Sequence, residues 1–299
     1  MTDIDCDWLS SMYGRHFADL HLVVPGVNRT YRLHDEMGVS YLRLYREFGR
    51  PRPQIAAELD LLEVFPEQPE VEISRPIRTR DGALLIDLTF EDRHRQACLF
   101  RAIEGKDIDI TPDGIKHFGQ ALASLHVAMP TKIDGAVRRL DPSAIGKDTL
   151  EAIKAISGSS GVSEEIEHEF LTAFEKLQTR FLPQGLCHGD AWTGNARVND
   201  GKVGFFDFDD FGQGALVLDL GTAAWHLHGE NSSQRDHLID ALVSGYEKVR
   251  PLSDAERESL PLFVQFAEVR SLRFLAKHCL LGEEMWSEVF RRAMKTFRC

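Results

Sequence analysis

Between Cys187 and Leu220 the chain reads CHGDAWTGNARVNDGKVGFFDFDDFGQGALVLDL, and no other stretch limits its fold as much. A His-Gly-Asp loop is followed, five residues after the aspartate, by an asparagine; a polar turn, a short apolar strand over 203–206 and Asp-Phe-Asp-Asp come next. The strand returns the chain, so that Asp207 can face Asn195. The residue types suit a particular chemistry. Asp190 can orient or deprotonate a hydroxyl. Asn195 offers a neutral amide oxygen and Asp207 a charged carboxylate, the oxygen ligands that a magnesium ion takes beside nucleotide phosphates.

The 299 residues suffice for one large domain or two lobes with a sizeable core. The formal net charge of −12 argues against nucleic acid or an anionic membrane surface as partner. It fits a cationic substrate as well as it fits plain solubility. The cysteines (Cys6, Cys98, Cys187, Cys279, Cys299) are odd in number and lack metal-site spacing, so reduced thiols in a cytoplasmic protein are expected. The opening MTDIDCDWLS has no apolar core and does not read as a signal peptide. No apolar run approaches the roughly 18–20 residues of a membrane helix.

Periodicity divides the chain into a β-rich first part and a helical second part. Trp8, Leu9, Met12, Tyr13 and Phe17 predict an amphipathic helix within 1–20. Residues 21–45 alternate, with Gly26 and Asn28 as turn residues and Asp35–Gly38 as a hairpin connection. In the strand over 41–45, alternation sets Leu42 and Leu44 on one face and Arg43 on the other. A helix from Pro53 carries Ile55, Leu59 and Leu62 along one face, and two or three further strands fill 71–104. Thr111 and Pro112 open a helix with Ile115, Phe118, Leu122 and Leu125 on its apolar face, where His126 reads as structural. Residues 130–162 look irregular, with a short helix near 148–156 and a GSSG loop at 158–161. Ser163 starts a helix with Ile166, Phe170, Phe174, Leu177 and Phe181 at core spacing. Helices near 215–229, 234–249 and 254–281 follow, the last opened by a Ser253–Glu256 capping box and kinked or restarted at Pro261. In the final helix, 283–297, Arg291, Arg292, Lys295 and Arg298 read as favourable charge at a helix C-terminus.

The pattern H-G-D-x-x-x-x-N followed by D-x-D is filled by His188, Gly189, Asp190, Asn195, Asp207 and Asp209. It resembles the signature of the aminoglycoside phosphotransferase and choline kinase family, the small-molecule branch of the protein-kinase-like phosphotransferases. FGQALASLH resembles a recurrent helix of that family, and YLRLYRE, ELDLL and DFDDFGQG look like stretches of its bacterial stress-response kinases. The resemblance covers roughly 20–275. It implies an α+β, two-lobed kinase-like fold: a small β-rich nucleotide-binding lobe over 1–101, a larger helical catalytic and acceptor-binding lobe over 102–299, and ATP between them. It implies ATP and Mg2+ as cofactors, Asp190 as the base for the acceptor hydroxyl, His188 as the residue fixing the loop behind it, and Asp219 as a brace. Asn195 and Asp207 would hold magnesium; Asp209 would help ligate a second metal or be solvated. Asn28 and Arg29 would lie in the loop over the phosphates, and Phe100 and Ala102 in the hinge whose backbone binds adenine. Arg43 stands where related kinases carry the phosphate-binding lysine, with Glu58 as its helix partner. An arginine fork differs in reach and geometry from an ammonium.

The function that follows is transfer of the γ-phosphate of ATP to a hydroxyl of a small molecule, such as an aminoglycoside, choline, ethanolamine or homoserine. The acidic balance tilts the expectation toward an amine-bearing acceptor. Serine or threonine of a protein is the alternative acceptor. The Arg43 departure keeps a second alternative open, a member that binds nucleotide or another ligand without catalysis. A metal-dependent hydrolase built on Asp190, Asp207 and Asp209 would need histidine ligands, and His226 and His228 show no convergence on them in sequence.

Overall fold

The computed structural model describes residues 4–46, 50–157, 161–178, 181–227 and 232–298. They fall into two compact units. Met1–Lys106, Lys132–Val137 and Arg197–Asp207 make the first; Asp107–Thr131, Arg138–Ala196 and Phe208–Cys299 make the second.

The first unit opens with α1 (Cys6–Tyr13), capped by the Asp5 side chain, which accepts from the Trp8 amide at 2.7 Å. Strands β1 (Asp19–Pro25), β2 (Arg29–Asp35) and β3 (Gly38–Leu44) form an antiparallel meander. Helix α2 (Arg52–Val64) follows, then β4 (Val71–Ile73), β5 (Pro76–Ile77), β6 (Ile86–Phe90) and β7 (Arg93–Arg101). The main sheet runs β1-β2-β3-β7-β5, with β6 also on β7. Because β3 is an inner strand, Arg43, opposite Cys98 of β7, sits in the middle of the sheet. The predicted alternation holds. Leu42 and Leu44 are buried with Leu33, Leu99, Leu9, Tyr13 and Phe17, while Arg43 faces Glu58 of α2. Phe17 reaches this core from beyond the end of α1.

In the second unit, α3 (Pro112–Ala128) is capped by Thr111 and buries the predicted face, His126 included. Helix α4 (Pro142–Ser157) is longer than the short helix expected near 148–156. The side chain of Asp141 accepts from the Ser143 amide at 2.9 Å and Pro142 follows it, so the cap lies earlier than the apolar pattern suggests. Helix α5 (Gly161–Gln178) buries Leu177 but ends before Phe181, which is fully exposed and not core. The side chains of Ile166, Phe170 and Phe174, and residues 158–160 of the expected GSSG loop, lie outside the described residues.

Strand β8 (Gln184–Cys187) leads into the His-Gly-Asp loop and a 3-10 turn, Thr193–Asn195. The hairpin β9 (Ala196–Asn199) and β10 (Lys202–Phe205) follows, with β10 parallel to β4. A second 3-10 turn, Phe208–Asp210, precedes β11 (Gly212–Ala215), which pairs antiparallel with β8. Helices α6 (Val217–His226), α7 (Ser232–Glu247), α8 (Asp254–His278) and α9 (Glu283–Phe297) complete the chain. Where α3 and α7 cross, a Cβ on Gly119 would lie 2.2 Å from the Leu242 carbonyl oxygen and one on Gly245 1.9 Å from that of Lys116, so both contacts require glycine. The Ser253–Glu256 capping box is present. Helix α8 does not restart at Pro261 but runs through it. Pro261 faces solvent, where water can satisfy the freed carbonyl, while Leu260, Leu262, Phe263 and Phe266 bury the opposite side. Nor is Arg292 simply dipole-complementing charge. It donates to the fully buried carboxylate of Glu268 on α8 at 2.8 and 3.1 Å, fastening α9. Cys6, Cys98, Cys187 and Cys279 are free thiols; Cys299 lies outside the described residues. Among the described residues no helix is long and apolar enough to cross a membrane.

Candidate active site

The His-Gly-Asp loop of the second unit is built from its backbone outward. Gly189 has φ 86°, a left-handed conformation, and a Cβ there would meet the Asp210 carbonyl oxygen at 2.0 Å. The glycine of the motif therefore answers both a backbone angle and a close approach. The loop is held by a single buried carboxylate: Asp219 of α6 accepts from the amides of His188 (2.7 Å) and Gly189 (2.9 Å). Its Oδ2 also meets Nε2 of His126 at 2.9 Å, and Nδ1 of His126 meets the Tyr246 hydroxyl at 2.7 Å. Burial opposes ionisation of Asp219, but the hydrogen bond and charge of His126, the nearby His188 and the Gly189 amide outweigh it, and its pKa lies below the usual carboxylate value. His188 is fully buried against Phe208, and its Nδ1 accepts from the Asp190 amide at 3.2 Å. It holds the backbone of the aspartate and does not reach solvent.

Asn195 closes the loop. Its Nδ2 donates to both the carbonyl and the carboxylate Oδ2 of Asp190, each at 2.9 Å. Its Oδ1 makes no hydrogen bond among the described residues. Asp190 itself is half-buried, with its carboxylate oriented by that amide.

In the first unit the buried carboxylate of Glu58 accepts from two arginines: Arg43 Nη1 at 3.1 Å and Arg50 Nη1. Arg50 also donates to the Gln54 carbonyl at 2.9 Å, tying it to the first turn of α2. The second arm of Arg43 reaches Asp207, with Nη2 2.8 Å from Oδ1, and the guanidinium lies 5.0 Å from the ring centre of Phe100. Asp207 has φ 65°, a left-handed angle uncommon outside glycine. Such strain at a carboxylate 48% exposed is the sort of feature that marks functional positions. Elsewhere in this unit, Asn28 accepts from the Arg46 amide at 3.0 Å and so closes the β1–β2 turn. Arg29 pairs with Glu91 at 2.7 Å and lies over the ring of Phe90. Phe100 ends the buried run of β7, and the Ala102 amide donates to the Val39 carbonyl at 3.3 Å.

In the turn after Asp207, Asp210 is taken by two arginines: Arg138 Nη1 on Oδ1 at 2.7 Å and Arg270 Nη2 on Oδ2 at 3.1 Å. Asp209 gives its backbone carbonyl to Arg138 at 3.3 Å. Among the described residues no three histidine, cysteine, aspartate or glutamate side chains are grouped as a metal cage, and the histidine convergence a hydrolase would need is missing. A magnesium ion that takes its remaining ligands from phosphates and water needs no such cage. Within the second unit the amide oxygen of Asn195, and within the first the strained, half-exposed carboxylate of Asp207, are each of the donor type that magnesium takes.

A model of the phosphotransferase enzyme family matches residues 26–252. The chain belongs to that family. As a phosphotransferase it is an enzyme, and its reaction class is that of a kinase. A homoserine kinase of Rhodospirillum rubrum is 31% identical over 275 residues, covering 84% of this chain and 77% of the relative. Two solved structures share the kinase-like α+β fold at TM-score 0.81. One is an amicoumacin kinase in complex with AMP-PNP, Ca2+ and Ami, 15% identical, covering 98% of this chain and 92% of its own. The other is a microcompartment-associated aminopropanol kinase, 22% identical, covering 97% and 94%.

Three groups of side chains in this phosphotransferase lie outside what its sequence signals. Arg50, the second partner of Glu58, follows a stretch without periodicity. Arg138 and Arg270 meet on Asp210 from 72 and 60 residues away. Trp192, in the middle of the loop motif, stacks on His226 with ring centres 4.1 Å apart. An aromatic residue inside the H-G-D-x-x-x-x-N string was the one local hint.

Proposed function

We propose that this phosphotransferase moves the γ-phosphoryl group of ATP, in the presence of magnesium, to a hydroxyl of a small molecule. One observation carries the reading: Asn195 directs its amide N–H groups at Asp190 and leaves its amide oxygen without a hydrogen-bond partner among the described residues. That arrangement supplies both a fixed carboxylate for a hydroxyl proton and a neutral oxygen for a divalent cation. Asp190 orients the acceptor hydroxyl and takes its proton as the phosphoryl group arrives. Asn195 and Asp207 would hold magnesium, with Asp209 as a further ligand. When bound, the metal neutralises charge on the phosphates. Arg43, braced by Glu58 and Arg50, binds phosphate oxygens. The turn containing Asn28 and Arg29 covers them, and the backbone at Phe100 and Ala102 meets adenine. In this division 1–101 serves the nucleotide and 102–299 the acceptor.

The relatives' own names, homoserine kinase and aminopropanol kinase, refer to small hydroxyl compounds, which favours a small acceptor over protein serine or threonine. A cytoplasmic setting, where ATP is supplied, belongs to the same proposal. The test is a thermal-shift titration of the wild type with ATP, with and without magnesium. A magnesium-dependent rise in Tm is expected. No shift at millimolar ATP would favour a member that binds another ligand without phosphorylating it.

A further inference from the structure

Around the catalytic loop of the second unit stands a group of side chains that the phosphoryl-transfer machinery does not use. Trp192, two residues after Asp190, lies flat on His226 of α6, with an interplanar angle of 10°. Trp225 meets the same imidazole edge-on, with ring centres 4.7 Å apart. The nitrogens of His226 make no hydrogen bond among the described residues, and the residue is half-buried. A neutral imidazole offers one donor and one acceptor, and both are available here. Burial and the nearby Arg270 push the pKa of His226 down to about 4, so the ring is neutral at physiological pH and stands in a positive field.

Arg270 belongs to an Arg138–Asp210–Arg270 group. Each oxygen of Asp210 already accepts from one guanidinium. An ammonium on the acceptor would have to compete with two arginines for that carboxylate. A carboxylate on the acceptor meets the opposite situation. Two guanidinia share one counter-charge, and each keeps donors beyond those committed: Arg138 to Asp210 and the Asp209 carbonyl, Arg270 to Asp210 and, at 3.4 Å, the Thr222 hydroxyl. Asp210 is 41% exposed, so the group opens to solvent, and its carbonyl packs on Gly189, the residue before Asp190.

Resting on the kinase reading above, we infer that the acceptor is a short hydroxy acid or hydroxy amino acid. Its carboxylate is received by Arg270 and Arg138, and its carbon chain lies against the Trp192–His226 stack. This reverses the amine preference suggested by the overall charge of −12, because the local groups rather than the total decide what binds.

The test is isothermal titration calorimetry on the full chain with matched compounds: serine, homoserine and 4-hydroxybutanoate against their carboxylate-free counterparts ethanolamine and 3-aminopropanol. At least one carboxylate compound is expected to bind about tenfold or more tightly than its counterpart, a difference of about 1.4 kcal/mol. Arg270→Lys is expected to erase that preference while leaving binding of the amino alcohols unchanged, and His226→Asn, which removes one wall of the stack, to weaken both classes of compound. Arg138→Lys serves in place of Arg270→Lys should the latter fail to fold. Equal or tighter binding of the amino alcohols, binding of none of the compounds, or a carboxylate preference that survives all the folded variants would overturn the inference. ADP formation is measured separately. An acceptor that binds through its carboxylate but yields no ADP would overturn the kinase reading and leave carboxylate recognition standing.

Discussion

Arg43 and Asp207, 164 residues apart in sequence, are joined by a 2.8 Å hydrogen bond from Nη2 to Oδ1, while the other arm of the same guanidinium holds Glu58. A lysine ammonium is a single point and cannot present two parallel arms to two carboxylates. The arginine is thus built into its surroundings, and the second arginine on Glu58 belongs to the same adaptation. Arg43→Ala is expected to lower kcat/KM about 100-fold or more, the scale of losing one preorganised cationic donor. Arg43→Lys should fall between the two. Steady-state kinetics with varied ATP checks both; a lysine variant faster than wild type would mean that the fork has no role.

Asp190→Ala should lower kcat by about 10²–10⁴, the usual contribution of a positioned base. Nucleotide affinity should stay within a few-fold, because Asp190 is assigned to the acceptor. Near-normal turnover would remove Asp190 from its role.

Asp219 has a native pKa below its unfolded value of about 3.9. Its contribution to stability is therefore complete above about pH 4 and is lost as pH falls through the lower native value. Asp219→Asn should cost about 1.5–3 kcal/mol at neutral pH, the worth of a hydrogen bond to a charged group. The gap in Tm between wild type and variant should be constant from pH 5 to 7 and narrow below 4. Thermal melts across that range are the check.

His226 has the same sign over a higher pH range. With a native pKa of about 4 against about 6.5 unfolded, the unfolded chain takes up a proton that the native one refuses. Stability should fall as pH drops from 6.5 toward 4, and His226→Asn should flatten that part of the profile. An imidazole NMR titration near 6.5 would contradict it.

Glu268 is fully buried and accepts from Arg292, from Trp225 Nε1 at 2.7 Å and from the Thr296 hydroxyl at 3.3 Å. Glu268→Ala leaves a guanidinium and an indole N–H without their partner and should cost about 3–5 kcal/mol. Denaturant melts measure it. A loss under 1 kcal/mol would mean that water replaces the carboxylate.

How much of this was legible in the sequence depended on distance along the chain. The loop motif, the hairpin after it and the alternation that turns Arg43 away from Leu42 and Leu44 are local patterns, and each reappears in the fold. The first helix of the 130–162 region was misjudged because its start is a cap, Asp141 with Pro142, rather than an apolar repeat. Phe181 had the right spacing, but α5 had already ended. The intrinsic helix penalty of Pro261 predicts a restart or a kink, and burial of its neighbours overrides the restart. Arg292 looked like surface charge because its partner lies on another helix. The groups on Asp210 and the Trp192–His226 stack are contacts between distant segments. Spacing encodes no such pairing.

Asp219 lies 31 residues beyond His188 and 93 beyond His126. During synthesis, which proceeds from the N-terminus, the whole His188–Asn195 motif is made before the carboxylate that shapes it exists. A nascent chain that has not yet extended past α6 therefore carries every residue of the loop and none of its geometry. A chain ending before Leu216 lacks that carboxylate and is expected to be inactive.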